Sequence, residues 1–548
     1  MSIWEENMMK QKVISSLVIL VFGLLSLSAQ NQQWLWANDG GSTSSDDNGY
    51  GIARDNYGNI FVTGTFRSPG VFGSNTLTGL PFCGEEVLVG ELNRYGSWAW
   101  AVRAGGLSWD HGYAVTVDDS HNLHVVGKYN GSEYPHANFG PHTLTGSGSF
   151  LAKLNANGGW TSATHLDGYA YDVAVDSQGN RYVVGFFPGT ATFGSTTLTS
   201  EGDFDIYIAK LAPNGIWQWA KRAGGTAAYG FDDKGYGVDL DSEGNVYITG
   251  YFCGTANFGD TQFVAQNYDI FIAKLDSEGN WLWAKKAGGS NADKGFDIKV
   301  DPLGSCYVTG SFMGGWFGSQ YLEGWDDVFV TKLDSSGNFV WAKRAGGGNS
   351  ALANGIALDA EDNCYITGYF DGNATFGTTV LASLNGSNDV FVAKLDTDGN
   401  WLWAIRGGGV NYDIAEDIEV SPSGTCYITG RYQGYTSFGS QNLASLGAPA
   451  MDWEIFIASL GVVPPLGPEN LVIEKNGNDI TLQWDAVTHN TSGAAIIPDH
   501  YNVYYASSPD PDSTPTFLES VTGTSYTHSG GALEAGSRFY YVKAFMQD

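Results

Sequence analysis

Few residues in this sequence have the type and spacing that chemistry needs. Six of the nine histidines fall between His111 and His165. His121 and His124 are three apart, and on a strand that spacing sends the two rings to opposite sides. They read as turn or surface histidines, and zinc is not expected. Glu85 and Glu86 are adjacent. Paired carboxylates hydrolyse glycosides when they lie ~5–9 Å apart, but neighbours on a strand face opposite ways. Asp241-Ser-Glu-Gly-Asn245 and Asp396-Thr-Asp-Gly-Asn400 carry calcium-type donors without the twelve-residue ligand spacing or its final bidentate Glu. They read as turns, with calcium at most a weak contributor. No G-x-S-x-G elbow, H-E-x-x-H pair or phosphate loop occurs. No catalytic residue, metal site or cofactor is therefore assigned.

Residues suited to binding lie elsewhere, in connecting loops. Trp109-Asp110-His111, the segment Tyr229 to Lys234 with Phe231, Asp232 and Asp233, Asn291 before Lys294, and Tyr412-Asp413 set aromatics beside carboxylates and amides. Rings stack on sugar faces and polar neighbours bond hydroxyls. Loops held on a rigid scaffold are where such residues concentrate. These ten residues form the expected ligand-binding set, for an extracellular glycan or protein.

The scaffold is legible as an internal repeat. One copy runs from Gly235 to Gly289. An FG dipeptide marks seven copies, at Phe72, Phe139, Phe193, Phe258, Phe317, Phe376 and Phe438. A tryptophan recurs at Trp36, Trp100, Trp219, Trp283, Trp341 and Trp403, with Trp160 in a degenerate third copy. Within a copy, apolar residues alternate with period 2, as in Tyr236, Val238 and Leu240, which predicts strands. D-x-x-G-N turns separate strands one from two and three from four. A four-stranded meander repeated seven times predicts an all-β, seven-bladed propeller over residues 33–460. Gln33-Trp-Leu-Trp-Ala is a lone fourth strand, and Ile455 to Leu460 is a third strand without a fourth. The first is expected to complete the last blade and remove two open edges. The D-x-x-G-N turns then share one face. The variable loops share the other, where the binding set lies.

The repeat resembles the SBBP family of bacterial β-propeller repeats. The likeness rests on GN-x-Y-[IV]-TG-x-F, on FG and on D-[IV]-F-[IV]-AKLD-x-x-GN-x-x-W, recurring in phase. The first copies depart most, with Glu91 in place of Lys, and Val125-Val-Gly and Val183-Val-Gly in place of the T-G form. The resemblance implies an exported structural or binding propeller and carries no catalytic residues. Residues 461–468 read as a linker. Residues 469–548 look like a fibronectin type III domain, on Pro468, Trp484 and the Tyr-rich stretch from Tyr501 to Tyr505. Such modules act as spacers or in adhesion.

Composition agrees with this architecture. Gly is 75 of 548 residues, about twice the usual ~7%. Aromatics reach 14%, against the signature of disorder. The net charge is −31, from 58 acidic and 27 basic residues, which repels phosphate backbones, so nucleic acid is not an expected partner. Val13–Ala29 after Lys10 and Lys12 reads as a signal peptide over 1–29, with the true start at Met8 or Met9. No later run is apolar enough to span a membrane. Five cysteines include Cys306, Cys364 and Cys426 at one repeat position, which reads as small buried hydrophobes. The expectation is a monomeric, secreted, non-enzymatic binding or adhesion protein of the bacterial surface. The rivals are a polysaccharide hydrolase or lyase at the channel mouth, and a passive module of a longer surface protein.

Overall fold

The computed structural model describes residues 32–42, 46–79, 84–131, 136–226, 232–446, 452–462, 472–476, 479–488, 498, 500–506, 516–529 and 539–545. The expected signal segment, 1–29, lies outside them, as does Cys83. Two compact units separate, one of them Trp34–Leu460. The described residues form strands, turns and loops without a helix, so none holds a helix long and apolar enough to cross a membrane.

The fourth repeat shows the plan. Lys234–Leu240, Val246–Phe258, Thr261–Leu275 and Trp281–Ala287 pair in order as an antiparallel meander. The tight turns form as the sequence predicts. Asp241 Oδ1 accepts the N–H groups of Glu243 and Asn245, and Oδ2 accepts the Asn245 amide. Strands two and three run on into an outer hairpin whose tip is Phe258-Gly259. Gly259 has φ +60°, and a side chain there would press on the Trp281 ring. Phe258 is buried and meets Trp281 edge-on at 6.0 Å. The same Phe-on-Trp contact recurs at Phe72–Trp98, Phe139–Trp160, Phe193–Trp217 and Phe376–Trp401. Burial of each Phe contributes ~1.5–3 kcal/mol.

The first described strand completes the last repeat, as expected. Asp413–Val420, Cys426–Gln433 and Trp453–Val462 are completed by Gln32–Ser42. Trp34 takes the outer-hairpin role, with its ring 4.8 Å from Phe438 and its Nε1 donating to the Arg406 carbonyl. The first strands contact one another in cyclic order. Asn48–Arg54 meets His111–Val117, which meets Tyr169–Val175, then Lys234–Leu240, Lys294–Val300, Ser350–Leu358 and Asp413–Val420, which returns to Asn48–Arg54. Cys306, Cys364 and Cys426 each open a second strand as buried thiols.

The second unit holds two three-stranded antiparallel sheets. One joins Val472–Asn476, Asp479–Gln483 and Ser525–His528; the other joins Thr516–Val521, His500–Ala506 and Phe539–Phe545. Leu482, Trp484, Val487, Tyr501 and Val503 form its core, with Trp484 edge-on to Tyr501 at 5.4 Å.

Candidate binding site at the channel mouth

Every first strand carries a β-bulge near its start. In the fourth repeat the register jumps between Gly235 and Gly237, so Tyr236 is an extra residue. The cause lies in the facing strand, where a Cβ on Gly250 would collide with the Lys234 carbonyl oxygen. The T-G glycine thus lets the two backbones close on each other, and the bulge re-aims one side chain. The sequence reading set Tyr236 in line with Val238 and Leu240. The extra residue breaks that phase: Val238 is buried in the core, while Tyr236 is half-exposed and lines the channel. The bulged residues are Tyr50, Tyr113, Tyr171, Tyr236, Phe296, Asn354 and Glu416.

Five of these form an aromatic arc. Ring centroids are 5.7 Å apart at Tyr50–Tyr113, 5.0 Å at Tyr113–Tyr171, 4.8 Å at Tyr171–Tyr236 and 5.7 Å at Tyr236–Phe296. Asn354 and Glu416 fill the gap, linked by a 3.1 Å hydrogen bond from Asn354 Nδ2. Arg431 pairs with the other Glu416 oxygen at 3.3 Å. The arc opens on a cavity of about 540 Å³.

Behind the mouth the wall carries Asp172, Asp239, Asp297, Asp417 and Glu419, with Lys299 among them. Four of these carboxylates join neighbouring repeats. Asp172 accepts the Val238 N–H at 2.8 Å, Asp239 that of Val300 at 2.8 Å, Asp297 that of Ile356 at 2.9 Å, and Asp417 that of Ile52 at 2.9 Å. The last bond ties the final repeat to the first. Burial raises Asp172 to about 6 and Glu419 to about 7, with Lys299 pulling the other way. Burial also works against the Lys299 ammonium, but Asp297, Asp239, Asp172 and Asp417 outweigh it and hold its pKa well above the ordinary value.

A family model described as a β-propeller repeat, SBBP, matches residues 218–251. An uncharacterized WD repeat-containing protein of Acanthamoeba polyphaga mimivirus is 23% identical over 64% of this chain and 31% of its own length. The regulatory protein FlaEY of Caulobacter vibrioides is 25% identical over 31% of this chain and 17% of its own. The chain thus spans about a third or less of these relatives. Among solved structures, BamB from Moraxella catarrhalis aligns over 78% of this chain and 99% of its own, at 13% identity and a TM-score of 0.37. The chain is a propeller repeat protein.

The propeller distributes the ten expected ligand residues unevenly. Tyr229 and Phe231 lie outside the described residues. Trp109 and Tyr412 are about half exposed, at 53% and 50%, and the Arg67 guanidinium lies 5.3 Å from the Trp109 ring centre. Asp232 pairs with Lys234 at 3.1 Å, and Asn291 donates to the Met313 carbonyl. Asp110, Asp233 and Asp413 are buried staples of the loops that carry them. Asp110 accepts the N–H groups of Gly106 and Asn130, Asp233 those of Gly225 and Cys253, and Asp413 that of Gly409. Their carboxylates serve the backbone because the loops bury unpaired donors that nothing else reaches. Among the described residues of the set, His111 is brought to the mouth, stacked 6.1 Å from Tyr50 and with its Nε2 2.8 Å from a Glu85 oxygen. Glu86 points the other way, to Arg103 at 3.1 Å. His124 is buried rather than on the surface, bonded to Asp118, while His121 sits in a turn beside Asp55.

Proposed function

We propose that Trp34–Leu460 is a seven-bladed propeller closed by its own first strand, and that it is a non-enzymatic binding protein. Its ligand, a glycan or a protein of the extracellular space, seats on the loop face at the channel mouth. One observation carries this reading. Seven strand bulges aim seven side chains at one opening, and five of them are partly buried aromatics. Aromatics held by strands lose little entropy on binding, which suits them to recognition. The mouth carboxylates that accept backbone N–H bonds serve as ties between blades, so no catalytic role is assigned. The C-terminal unit is read as a fibronectin type III spacer, supported by its two sheets and the buried Trp484. The signal-like segment supports secretion, and the chain is taken to act as a monomer at the bacterial surface, in adhesion or scaffolding.

The test is a calorimetric screen of the full chain against surface oligosaccharides and envelope proteins, repeated with Tyr171→Ala, Tyr236→Ala, Trp109→Ala and Tyr412→Ala. Loss of at least tenfold in affinity in the first two variants supports the mouth. Loss confined to Trp109→Ala and Tyr412→Ala moves the site to the outer loops. No binding by folded protein rejects a binding role.

A further inference from the structure

The mouth offers two kinds of recognition at once. On one side is the aromatic arc, in which Tyr113 and Tyr171 stack within 3° and the other neighbours meet edge to face, and whose rings carry the negative lobes of a quadrupole. Burial keeps the phenols neutral, pushing Tyr50 up to about 12 and Tyr113 and Tyr171 higher still. In the gap between the ends of the arc is the Glu416 carboxylate. Below, the cavity wall carries six carboxylates, Glu416 included, against the ammonium of Lys299 on the wall and the Arg431 guanidinium that pairs with Glu416. Burial raises the pKa of all six, so only part of that charge is present near neutral pH. A wall of carboxyl oxygens still favours a cation over an anion, and a cation gains further from aromatic rings.

The same face already holds ammonium groups in this way. Lys234 Nζ lies 4.7 Å from the centre of the Phe186 ring while pairing with Asp232. Lys294 Nζ lies 5.2 Å and 5.3 Å from the ring centres of Tyr251 and Tyr268. These two lysines occupy the outer ring of aromatics and leave the inner arc to a ligand.

Resting on the mouth reading above, we propose that the channel mouth binds an alkylammonium group, held between the aromatic arc and Glu416. The group is either that of a small free amine or the side-chain end of a partner's lysine. The two share one chemistry and differ in what surrounds the nitrogen.

Calorimetry on the full chain decides the matter. The probes are choline, its uncharged carbon isostere 3,3-dimethylbutanol, and N-acetyl-lysine amide with and without ε-acetylation. Saturable binding of choline, at least tenfold tighter than its isostere, supports a free amine. Binding of the lysine derivative that ε-acetylation weakens tenfold supports a partner lysine. In either case Tyr171→Ala and Glu416→Gln each weaken binding about tenfold, and Tyr412→Ala does not. If Tyr171→Ala fails to fold, the charged and uncharged probes on the unmodified chain still decide. Equal binding of choline and its isostere overturns the inference. If a neutral oligosaccharide binds, Tyr171→Ala abolishes that binding and no amine binds, the amine inference falls while the mouth remains the site. If nothing binds, both fall.

Discussion

The turn end and the mouth end of the repeats use the same residue in opposite ways. At the turn end, Asp241, Asp276, Asp334 and Asp359 accept N–H groups and an asparagine amide in partly solvated turns. Burial opposes the charge on Asp241, Asp276 and Asp359, but the asparagine bonds, joined by Lys274 at Asp241 and Lys394 at Asp359, outweigh it; for Asp334 the asparagine bonds are the largest influence. All four are held below the ordinary carboxylate range. At the mouth end, Asp47, Asp110, Asp233, Asp293 and Asp413 staple loops from buried positions. Burial outweighs their hydrogen bonds and raises each to about 7. Hydrogen bonding alone therefore does not fix the state of a repeated aspartate. The depth of the loop and a cationic partner do: Lys274 pairs with Asp241 at 3.2 Å and Lys394 with the buried Asp359 at 3.1 Å. The turn end is cheap to build and uniform. The mouth end accepts costly buried carboxylates to hold longer, variable loops above the channel.

The largest effect is expected where this cost is incurred. Asp110→Ala leaves the Gly106 and Asn130 N–H groups without their acceptor in a buried loop, and should destabilise the propeller by about 2–4 kcal/mol. Asp241→Ala removes comparable bonds from a turn that water reaches, and about 1–2 kcal/mol is expected. Denaturant midpoints of the two variants check the order. Equal losses would break the contrast between the ends.

This contrast also explains what could be read in advance. The strand order, the D-x-x-G-N turns and the closing strand rest on patterns legible in the sequence, and each is present in the structure; the FG dipeptide marks the copies without revealing the outer hairpin that carries it. Asp110, Asp233 and Asp413 were expected to face a ligand because a loop carboxylate beside an aromatic looks the same whether it binds or staples. The informative signal was recurrence. Asp47 and Asp293 hold corresponding loops in other copies, and a residue common to most copies serves what the copies share. The mouth was missed for a different reason. Alternation assumes two residues per pleat, and one extra residue inverts the faces on either side of it. The sequence did carry a mark of the bulge, the T-G glycine of the facing strand. A Cβ there would meet a backbone oxygen at Gly64, Gly127, Gly185, Gly250, Gly310, Gly368 and Gly430 alike. What differs among copies at the bulge, five aromatics against Asn354 and Glu416, is what the repeat leaves free for function.

The smallest expected effect gives the sharpest view of the two ends, because both titrate in one experiment. A mouth aspartate with a folded pKa near 7 and an ordinary unfolded value near ~3.9 binds its proton more tightly when folded. Its contribution to stability is full below pH ~4 and is lost as pH rises through 7. A turn aspartate held below the ordinary range behaves in reverse. Its contribution is full above pH ~4 and is lost as pH falls through its depressed folded value. Melting of the full chain should therefore rise by about 2–5 °C from pH 8 to pH 5, peak between about pH 4.5 and 6, and fall at lower pH. Asp110→Asn removes one buried charge and keeps an acceptor, so it should flatten the rise between pH 5 and 8 while leaving the acid limb in place. Asp241→Asn should do the converse. If Asp110→Asn leaves the upper slope unchanged, that loop admits enough water to ionise its aspartate freely, and the two ends differ in sequence variability alone.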